Sequence, residues 1–350
     1  MLINKGSRTL PGLVRTGATF ADAAAEFLRY VEYDRALKPS TLRGYRSIVD
    51  AYLLPVFGER RLEEITSAEI ESWRARLAGM GGSGRRRDRA HSSDGPGSPG
   101  RSPRELSNSS KNRIVVLLHG VFARACKVYG LPVNPVAAVE RHPVRNNGDI
   151  EVFSPEEVWA LVRAATSEQD AAIFLTAAFT GLRRGELIAL RWRDVDFSGS
   201  AVRVRTSYAG GALTTPKSGK VRSVPLAPEV AQALARLGKR ELFSGEDDLV
   251  FVGEAGGFLD GSALRRRYKD ALKRAALRPL RFHDLRHTFG TRMIAKADIR
   301  RVQEWMGHAD IQTTMRYLHY APREEDARLV AEAFRVEGAP SPGAGAPRGA

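Results

Sequence analysis

The sequence has a single cysteine, no long apolar run and fewer acidic than basic residues. Cys126 alone cannot form an internal disulfide, and its place in the apolar segment VFARACKVY indicates packing. The longest apolar stretch, AAIFLTAAF at residues 171–179, is too short to span a membrane. The first residues, MLINKGSRTLPGLV, lack the apolar core of a signal peptide. These absences argue against a disulfide-stapled or membrane-spanning protein and predict a cytoplasmic one.

The excess of basic residues is the first positive indication. Lys and Arg number 55 against 40 Asp and Glu, which gives a formal net charge of +15. Such a surface repels itself unless a polyanion is near, so nucleic acid is the expected partner. A GC-rich genome that inflates the arginine content is the alternative explanation for this charge.

The length of 350 residues exceeds the size at which a single hydrophobic core usually keeps growing, so two domains are expected. The expected parts are a flexible N-terminus at 1–17, a first domain at 18–142, a linker at 143–149, a second domain at 150–335 and a flexible tail at 336–350. Residues 79–110, approximately, are rich in Gly, Ser, Pro and Arg with almost nothing apolar. That composition predicts a disordered basic insertion in the first domain.

Capping motifs predict the helices of the first domain. Thr19 with Asp22, and Thr66 with Glu69, each form a potential capping box ahead of a helix. Between them, KPSTLRGYRSIVDAYLLPVFG carries helix start and stop signals. A fourth helix is expected in NRIVVLLHGVFARACKVYG. The first domain is therefore predicted to be helical.

The second domain shows both helical and strand patterns. FSPEEVWALVRAA opens it with a predicted capped helix, in which Ser154 is the cap and Glu157 completes the box. The segments AVRVRT and VRSVPL alternate with period two and are joined by SYAGGALTTPKSGK, which predicts a small antiparallel sheet. DLVFV at 248–252 predicts a further short strand. The fold class is mainly α, with a mixed α+β second domain.

Four of the seven histidines lie in two short windows of the second domain. The first window, RFHDLRHTF, predicts a helix with an apolar and a polar face. The apolar face would carry Phe282, Leu285 and Phe289, and the polar face His283, Arg286 and His287. A face that is merely solvated is one alternative. A zinc site is another, because His283 and His287 have the i, i+4 spacing of zinc-binding helices.

The second window, MGHADIQTTMRYLHY, places Gly307 and His308 at a predicted turn. Tyr317 and Tyr320 follow on a helix expected to begin near Asp310. A tyrosine on an amphipathic helix is usually a half-buried packing residue, so this window is informative only beside others.

A third element, TGLRRGELIAL at 180–190, predicts a helix that ends at Gly181 and another that begins with two arginines. An arginine at such a junction sits on an ordered backbone, which suits two-point binding of a phosphate. A surface arginine merely paired with Glu186 is the alternative.

The motifs TGLRRGEL, TPKSGKVRSVPL, HDLRHTFGT and MGHADIQTTMRYLHY together resemble those of the tyrosine recombinases, or phage integrase family, in order and spacing. The resemblance covers about residues 150–322, and region 18–142 looks like the family's core-binding domain. It implies a SAM-like helical bundle followed by a catalytic integrase domain of the DNA breaking-rejoining type. The implied activity is site-specific DNA recombination in DNA integration or excision.

The same resemblance assigns the site residues. The implied catalytic set is Arg183, Lys217, His283, Arg286, His308 and Tyr317, with Glu186 and His287 in supporting roles. Lys220 is the alternative to Lys217, and Tyr320 is the alternative to Tyr317. In the implied reaction Tyr317 attacks a phosphodiester and forms a 3′-phosphotyrosine ester while His283 accepts its proton. Lys217 would protonate the departing oxygen, and no cofactor or metal is implied.

Positions expected to bind DNA lie at two helix starts of the first domain, where backbone donors and basic side chains both favour phosphate. They are Lys38, Ser40, Thr41, Arg43, Arg46, Lys111 and Arg113. Each could equally be an ordinary solvated charge. The basic insertion is either a salt-sensitive DNA contact or inert.

The resemblance also implies partners and a location. The partner is double-stranded DNA at core recombination sites, because the short N-terminus leaves no room for a separate arm-binding domain. Protomers would self-associate into a tetramer on DNA, with accessory DNA-bending or directionality proteins as further candidates and no membrane. The expected location is the cytoplasm, in association with the nucleoid.

The main alternative function is a catalytically silent DNA-binding accessory protein with the same fold, against which the complete motif set argues. Relaxation of supercoils by a lone cleaving monomer would use the same chemistry without strand exchange. A zinc hydrolase would instead lose its activity to a chelator.

Overall fold

The computed structural model describes residues 16–77, 105–144, 150–215 and 220–318. The chain divides into two compact units, Met1–Asn147 and Gly148–Ala350. None of the helices within the described ranges has both the length and the apolar character needed to cross a membrane. Most of the expected N-terminus, linker and basic insertion, and all of the expected tail, lie outside the described residues.

The described part of the first unit is helical, as predicted. Its helices are α1 (Phe20–Arg29), α2 (Pro39–Ile48), α3 (Leu54–Phe57), α4 (Ser67–Arg76) and α5 (Asn108–Tyr129), with π-helical turns at Tyr30–Asp34 and Val49–Leu53. The capping boxes predicted at Thr19 and Thr66 are both present. α5 begins at Asn108, inside the segment assigned to the basic insertion, because Ser107 caps it by accepting from the Ser110 N–H.

Aromatic side chains form the centre of this helical unit. The Phe20 ring lies 5.7 Å from the rings of both Phe57 and Phe122, and Phe57 packs edge-on against Trp73 at 5.2 Å. All four side chains are buried, so α1, α3, α4 and α5 share one core. Cys126 packs partly buried against this core, and burial raises the pKa of its thiol.

The described part of the second unit combines helices with two small sheets. Its helices are α6 (Pro155–Arg163), α7 (Glu168–Thr180), α8 (Arg184–Ile188), α9 (Pro228–Leu237), α10 (Gly261–Arg274), α11 (Asp284–Ile294), α12 (Ile299–Met306) and α13 (Gln312–Met315). Its strands are β1 (Val195–Asp196), β2 (Ala201–Val204), β3 (Ser207–Ala209), β4 (Ala212–Thr214) and β5 (Arg222–Pro225). The capping box predicted at Ser154 is present at the start of α6.

The predicted antiparallel sheet is confirmed. β2 pairs with β1 on one side and with β5 on the other, and Val202 lies opposite Val224. The connection between β2 and β5 forms its own hairpin of β3 and β4. Burial alternates along β5, so that Arg222 and Val224 face inward.

The prediction of a strand at 248–252 is wrong. Only isolated bridges occur in this region, from Leu249 to Arg191 and from Val252 to Phe258. The Val252 N–H donates to the side-chain oxygen of Gln169 at 2.9 Å, and the amide of Gln169 donates back to the Val252 carbonyl at 2.9 Å. The segment is apolar because it is buried, and its backbone is satisfied partly by the Gln169 side chain and partly by the backbone of Leu190 and Trp192 rather than by a full strand pairing.

The end of α7 brings two distant motifs together. Gly181 ends α7 in the left-handed conformation with φ +62°. A Cβ at this position would lie 2.5 Å from a ring carbon of Phe289 in α11. Glycine therefore permits both the turn and the close approach of α11, which carries the HDLRH motif.

Candidate active site

The turn between α7 and α8 holds Arg183 on a buried carboxylate. The Arg183 N–H donates to Glu186 Oε2 at 2.8 Å, and its guanidinium donates to Oε1 at 3.0 Å. The Glu186 side chain is fully buried. Burial alone would raise the pKa of Glu186, but Arg222 and Arg183 lower it below its ordinary value. The ion pair between an arginine and Glu186, which the sequence offered as an alternative to phosphate binding, is present. The Glu186 carboxylate, however, lies in the interior rather than on the surface.

Arg222 is the site residue that the sequence analysis missed. Its guanidinium donates two hydrogen bonds to Glu186, at 3.0 and 2.7 Å. The signal was present in VRSVPL, because the predicted strand alternation places a charged residue on the same inward face as Val224. A charge on the buried face of a strand requires a partner.

Arg286, which was assigned to the polar face of the HDLRH helix, is buried rather than solvated. α11 begins only at Asp284, so His283 precedes the helix. The Arg286 residue is 2% exposed, and its guanidinium donates to the carbonyls of Gly181 and Met306. Burial, reinforced by the positive charge of Arg183, lowers the pKa of Arg286 to about 9. The group therefore remains charged at neutral pH.

The C-terminal end of α12 collects three arginines. Its carbonyls there each accept from a different guanidinium: Trp305 from Arg222, Met306 from Arg286, and Gly307 from Arg183. The last carbonyls of a helix have no partner within the helix and carry the negative end of its dipole. Gly307 ends α12 with φ +62° and leads directly into His308. The three positive charges are thus held around one peptide turn.

Tyr317 follows α13 rather than lying on a helix from Asp310, because α13 spans only Gln312–Met315. The Tyr317 residue is 3% exposed, and its hydroxyl lies 3.0 Å from Nδ1 of His287. A Cβ on Gly290 would lie 2.8 Å from two carbons of the Tyr317 ring, so only glycine leaves room for the ring. Burial raises the pKa of Tyr317, although Arg286 acts in the opposite direction. The hydroxyl is therefore protonated at neutral pH.

His287 and His308 border this tyrosine, and His283 lies next to His287. The His308 ring stacks on Tyr317 with centroids 6.3 Å apart, and its Nδ1 lies 2.8 Å from the Thr314 hydroxyl. Burial and the charge of Arg286 lower the pKa of His308 to about 3. His283 is exposed, yet desolvation by its surroundings and the adjacent His287 lower its pKa to about 4. Burial also lowers the pKa of His287. All three rings are neutral at pH 7, so each keeps one unprotonated ring nitrogen, although the lowered pKa makes each a weaker base than an ordinary histidine.

Two of the named candidates, Lys217 and Tyr320, lie outside the described residues. Lys220, the alternative to Lys217, is exposed. The rings of His283 and His287 are 5.0 Å apart. Across the described ranges, no three His, Cys, Asp or Glu side chains are grouped so that they could hold a metal ion.

Comparison with known proteins gives two family matches. The phage integrase family matches residues 151–324, and the N-terminal SAM-like domain of phage integrases matches residues 19–78. The chain belongs to the phage integrase family. The expected family and fold class are therefore confirmed for this integrase.

Curated relatives agree with this assignment. Tyrosine recombinase XerC of Xanthomonas axonopodis pv. citri is 29% identical over 84% of this integrase and 90% of the relative. The putative prophage phiRv2 integrase of Mycobacterium tuberculosis is 28% identical over 88% of this chain and 76% of the relative. A XerC-like tyrosine recombinase of Caldanaerobacter subterraneus is 30% identical, and the matched region spans about half of that relative, 52%.

Solved structures share the fold. The Tn1549 transposon integrase in complex with a circular intermediate DNA has a TM-score of 0.68 at 20% identity, covering 91% of this integrase and 99% of that chain. A lambda integrase dimer bound to a COC′ core site has a TM-score of 0.65 at 18% identity, covering 89% of this chain and 81% of that chain.

The positions predicted to bind DNA in the first unit divide into two groups. Lys38, Ser40, Arg43, Arg46 and Arg113 are exposed and Thr41 is partly exposed. A guanidinium nitrogen of Arg113 would lie 3.4 Å from a Cβ on Gly44, so Arg113 reaches the surface of α2. Lys111, in contrast, is only 6% exposed, and this burial argues against a phosphate contact. Arg46 pairs with Glu32, which offsets its charge.

Acid should weaken the folded integrase through its neutral histidines. His308 has a folded pKa of about 3 against an ordinary value of 6.5. Between these two values the unfolded chain binds a proton that the folded chain does not, so the free energy of unfolding falls as the pH falls through this window. The slope from His308 is at most about 1.4 kcal/mol per pH unit. Exposed His283 adds less, over the window from 6.5 down to about 4.

Denaturant unfolding at pH 7.5, 6.5 and 5.5 measures this dependence. His308→Asn should give a shallower decline than the wild type, whereas the control His119→Asn, at an exposed position of α5, should keep the wild-type decline. Equal slopes for the wild type and His308→Asn would contradict the expected role of His308.

Proposed function

We propose that this integrase is a site-specific DNA recombinase that cleaves and rejoins strands through a 3′-phosphotyrosine intermediate. The observation that carries the proposal is the convergence of Arg183, Arg286 and Tyr317 at the end of α12. The names of the relatives, tyrosine recombinase XerC and prophage integrase, support the same activity. DNA integration or excision is the proposed setting.

The proposed chemistry is two transesterifications. In the first, the Tyr317 oxygen forms a bond to phosphorus, the bond from phosphorus to the 5′ oxygen breaks, the tyrosine proton passes to a base and the 5′ oxygen takes up a proton. In the second, the 5′ hydroxyl of another strand attacks the phosphotyrosine and releases Tyr317. One phosphate ester bond replaces another in each step, so the exchange needs no external energy source.

The arginines supply the electrostatic part of the proposed reaction. Charge on the non-bridging oxygens grows as phosphorus becomes five-coordinate, and fixed cations in a site of low dielectric stabilise it. Arg183 keeps 23% of its side chain exposed and is the guanidinium best placed to meet a phosphate from solvent. Arg286 would act from the buried side of the site, where its hydrogen bonds to the carbonyls of Gly181 and Met306, at the ends of two helices, fix its position.

The proton of Tyr317 has a nearer acceptor than the one the sequence suggested. His287 Nδ1 is 3.0 Å from the hydroxyl, which supports His287 rather than His283 as the first acceptor. His308 stacks on the same ring and would donate an N–H to the phosphate while it is neutral. Proton delivery to the 5′ oxygen by Lys217 stays a prediction, since Lys217 lies outside the described residues.

Activation must include a change at Tyr317. The hydroxyl of Tyr317, a residue that is 3% exposed, cannot reach a phosphate in a duplex. Binding of DNA therefore has to move the Tyr317 side chain out of its buried position. The raised pKa of Tyr317 keeps the nucleophile protonated until then. The DNA-free protein is therefore proposed to be catalytically inactive.

Duplex DNA is the proposed partner, consistent with the net charge of +15. The proposed phosphate contacts in the first unit are Lys38, Ser40, Thr41, Arg43, Arg46 and Arg113, without Lys111. Assembly as a tetramer on DNA is proposed by analogy with the lambda integrase tetramer bound to a Holliday junction. Participation of DNA-bending or directionality proteins also stays a prediction.

The test begins with duplexes selected by binding from a random pool. Selected sites carrying a nick beside the cleavage position trap a covalent adduct, which denaturing electrophoresis detects. Two differently labelled sites then report strand exchange. Binding without an adduct would indicate a silent accessory protein, and relaxation of supercoiled DNA without exchanged products would indicate a topoisomerase.

A further inference from the structure

Arg222 is buried in the site without belonging to the set that the family motifs assign. Its side chain is 7% exposed, so it has little surface to offer a phosphate. Three of its donors are occupied: two by Glu186 and one, Nε, by the Trp305 carbonyl at 2.8 Å. A buried ion pair does not by itself indicate added stability, because desolvation offsets much of the attraction. The geometry of the pair between Arg222 and Glu186 therefore calls for an explanation other than stability.

The carboxylate of Glu186 is held in one orientation by Arg222. The final torsion of a glutamate is broad and nearly two-fold, so a carboxylate does not orient itself. Arg222 donates to both of its oxygens, which fixes the carboxylate plane. Arg183 then uses the same two oxygens, one through its backbone N–H and one through its guanidinium.

Arg222 also touches the second group that holds Arg183. The guanidinium of Arg183 donates to the Gly307 carbonyl at 3.1 Å. A Cβ on Gly307 would lie 2.9 Å from Cδ and 3.0 Å from Nε of Arg222, so the Arg222 side chain packs directly against this glycine. Both described acceptors of the Arg183 guanidinium, Glu186 and Gly307, are thus in contact with Arg222.

We propose that Arg222 is a positioning residue, which aims the Arg183 guanidinium at a non-bridging oxygen of the reacting phosphate by fixing Glu186 and the Gly307 turn. This inference rests on the proposed recombinase function and assigns a role within it. Arg222 does not contact the DNA. Its effect on the reaction passes entirely through Arg183.

The test compares cleavage of two nicked substrates, one with the natural phosphodiester and one with a neutral methylphosphonate at the mapped cleavage position. Methylphosphonate lacks the charged oxygen that Arg183 would stabilise. We expect Arg222→Lys to slow adduct formation on the phosphodiester by about 10- to 100-fold, less than the roughly 100- to 1000-fold loss for removing one fixed donor outright, because the Arg183 donor is misaimed rather than removed. The loss on the methylphosphonate should be much smaller, and the dissociation constant for DNA should change by less than about threefold.

A double-variant comparison tests the route through Arg183. Arg183→Lys should show the same dependence on substrate as Arg222→Lys. Because both variants remove one function, the double variant should be no slower than Arg183→Lys alone. Arg222→Met is measured in parallel, and melting curves establish that each variant is folded. Arg222→Lys keeps the charge and remains measurable if Arg222→Met does not fold.

The matched control is another arginine on a buried carboxylate of the same unit. Arg267 donates to both oxygens of Asp170 at 3.1 and 2.8 Å. Asp170 lies in the first turn of α7, at the opposite end of that helix from Gly181. Arg267→Lys should leave cleavage of both substrates unchanged. The inference is overturned if Arg222→Lys cleaves at the wild-type rate, slows both substrates equally, or multiplies the defect of Arg183→Lys. In each case adduct formation by the wild type still supports the recombinase itself.

Discussion

Replacing Tyr317 with phenylalanine should abolish covalent attachment to DNA. The change removes the oxygen that would bond to phosphorus, and loss of a nucleophile typically lowers turnover by at least about four orders of magnitude. Binding should persist, because Tyr317 is buried in the DNA-free protein and the ring is retained. Nicked duplex sites, followed by denaturing electrophoresis, measure the adduct, and a mobility shift under native conditions measures binding.

Tyr320→Phe is the matched control, since it removes the other tyrosine hydroxyl of the same motif. It should form the adduct at the wild-type rate. The reverse outcome, an adduct with Tyr317→Phe and none with Tyr320→Phe, would transfer the nucleophile to Tyr320 and leave the family assignment intact. Attachment by both variants would contradict a nucleophile within this motif.

Replacing Glu186 with alanine should cause the largest loss of stability in the site. The carboxylate has no exposed surface and faces two guanidinium groups, with Arg286 close behind them. Its removal leaves buried positive charge unpaired, which costs about 3–5 kcal/mol. For a unit of this size that corresponds to a decrease in Tm of roughly 6–20 °C. Denaturant unfolding and thermal melting of the full chain measure the effect.

Glu186→Gln separates charge from shape, because the amide keeps one acceptor oxygen and the volume of the side chain. It should be less destabilising than Glu186→Ala. Asp170→Ala is the comparison elsewhere in the unit, and it should cost less because the Arg267 side chain is 36% exposed and can be hydrated. A Glu186→Ala protein whose free energy of unfolding is within about 1 kcal/mol of the wild-type value would show that the arginine cluster does not depend on this carboxylate.

Local signals explain what the sequence predicted well. The capping boxes at Thr19, Thr66 and Ser154 each join residues three positions apart, so both partners of the contact lie within one short stretch of sequence. The end of α7 at Gly181 was equally predictable, because a glycine at a helix end is a local feature. Resemblance to the family then supplied the functional meaning of these motifs.

Contacts between distant segments explain what the sequence did not predict. Arg222 finds Glu186 across 36 residues, a pairing that depends on how β5 packs beside α8. Arg286 was predicted on the polar face of a helix because helical periodicity separates apolar from polar residues. That its guanidinium is buried could not be predicted, since carbonyls at the ends of α7 and α12 supply acceptors that periodicity does not reveal. The same limitation hid the contact between Tyr317 and His287.

The peptide turn at the end of α12 also limits how the site can diverge in sequence. Trp305 and Met306 contribute main-chain oxygens to the arginines, so these hydrogen bonds depend on the path of the backbone and not on the two side chains. An inserted or deleted residue would be far more damaging, because it would displace three cationic groups and His308 in a single step. Homologous enzymes built on this plan should therefore keep the length of the chain constant at this turn.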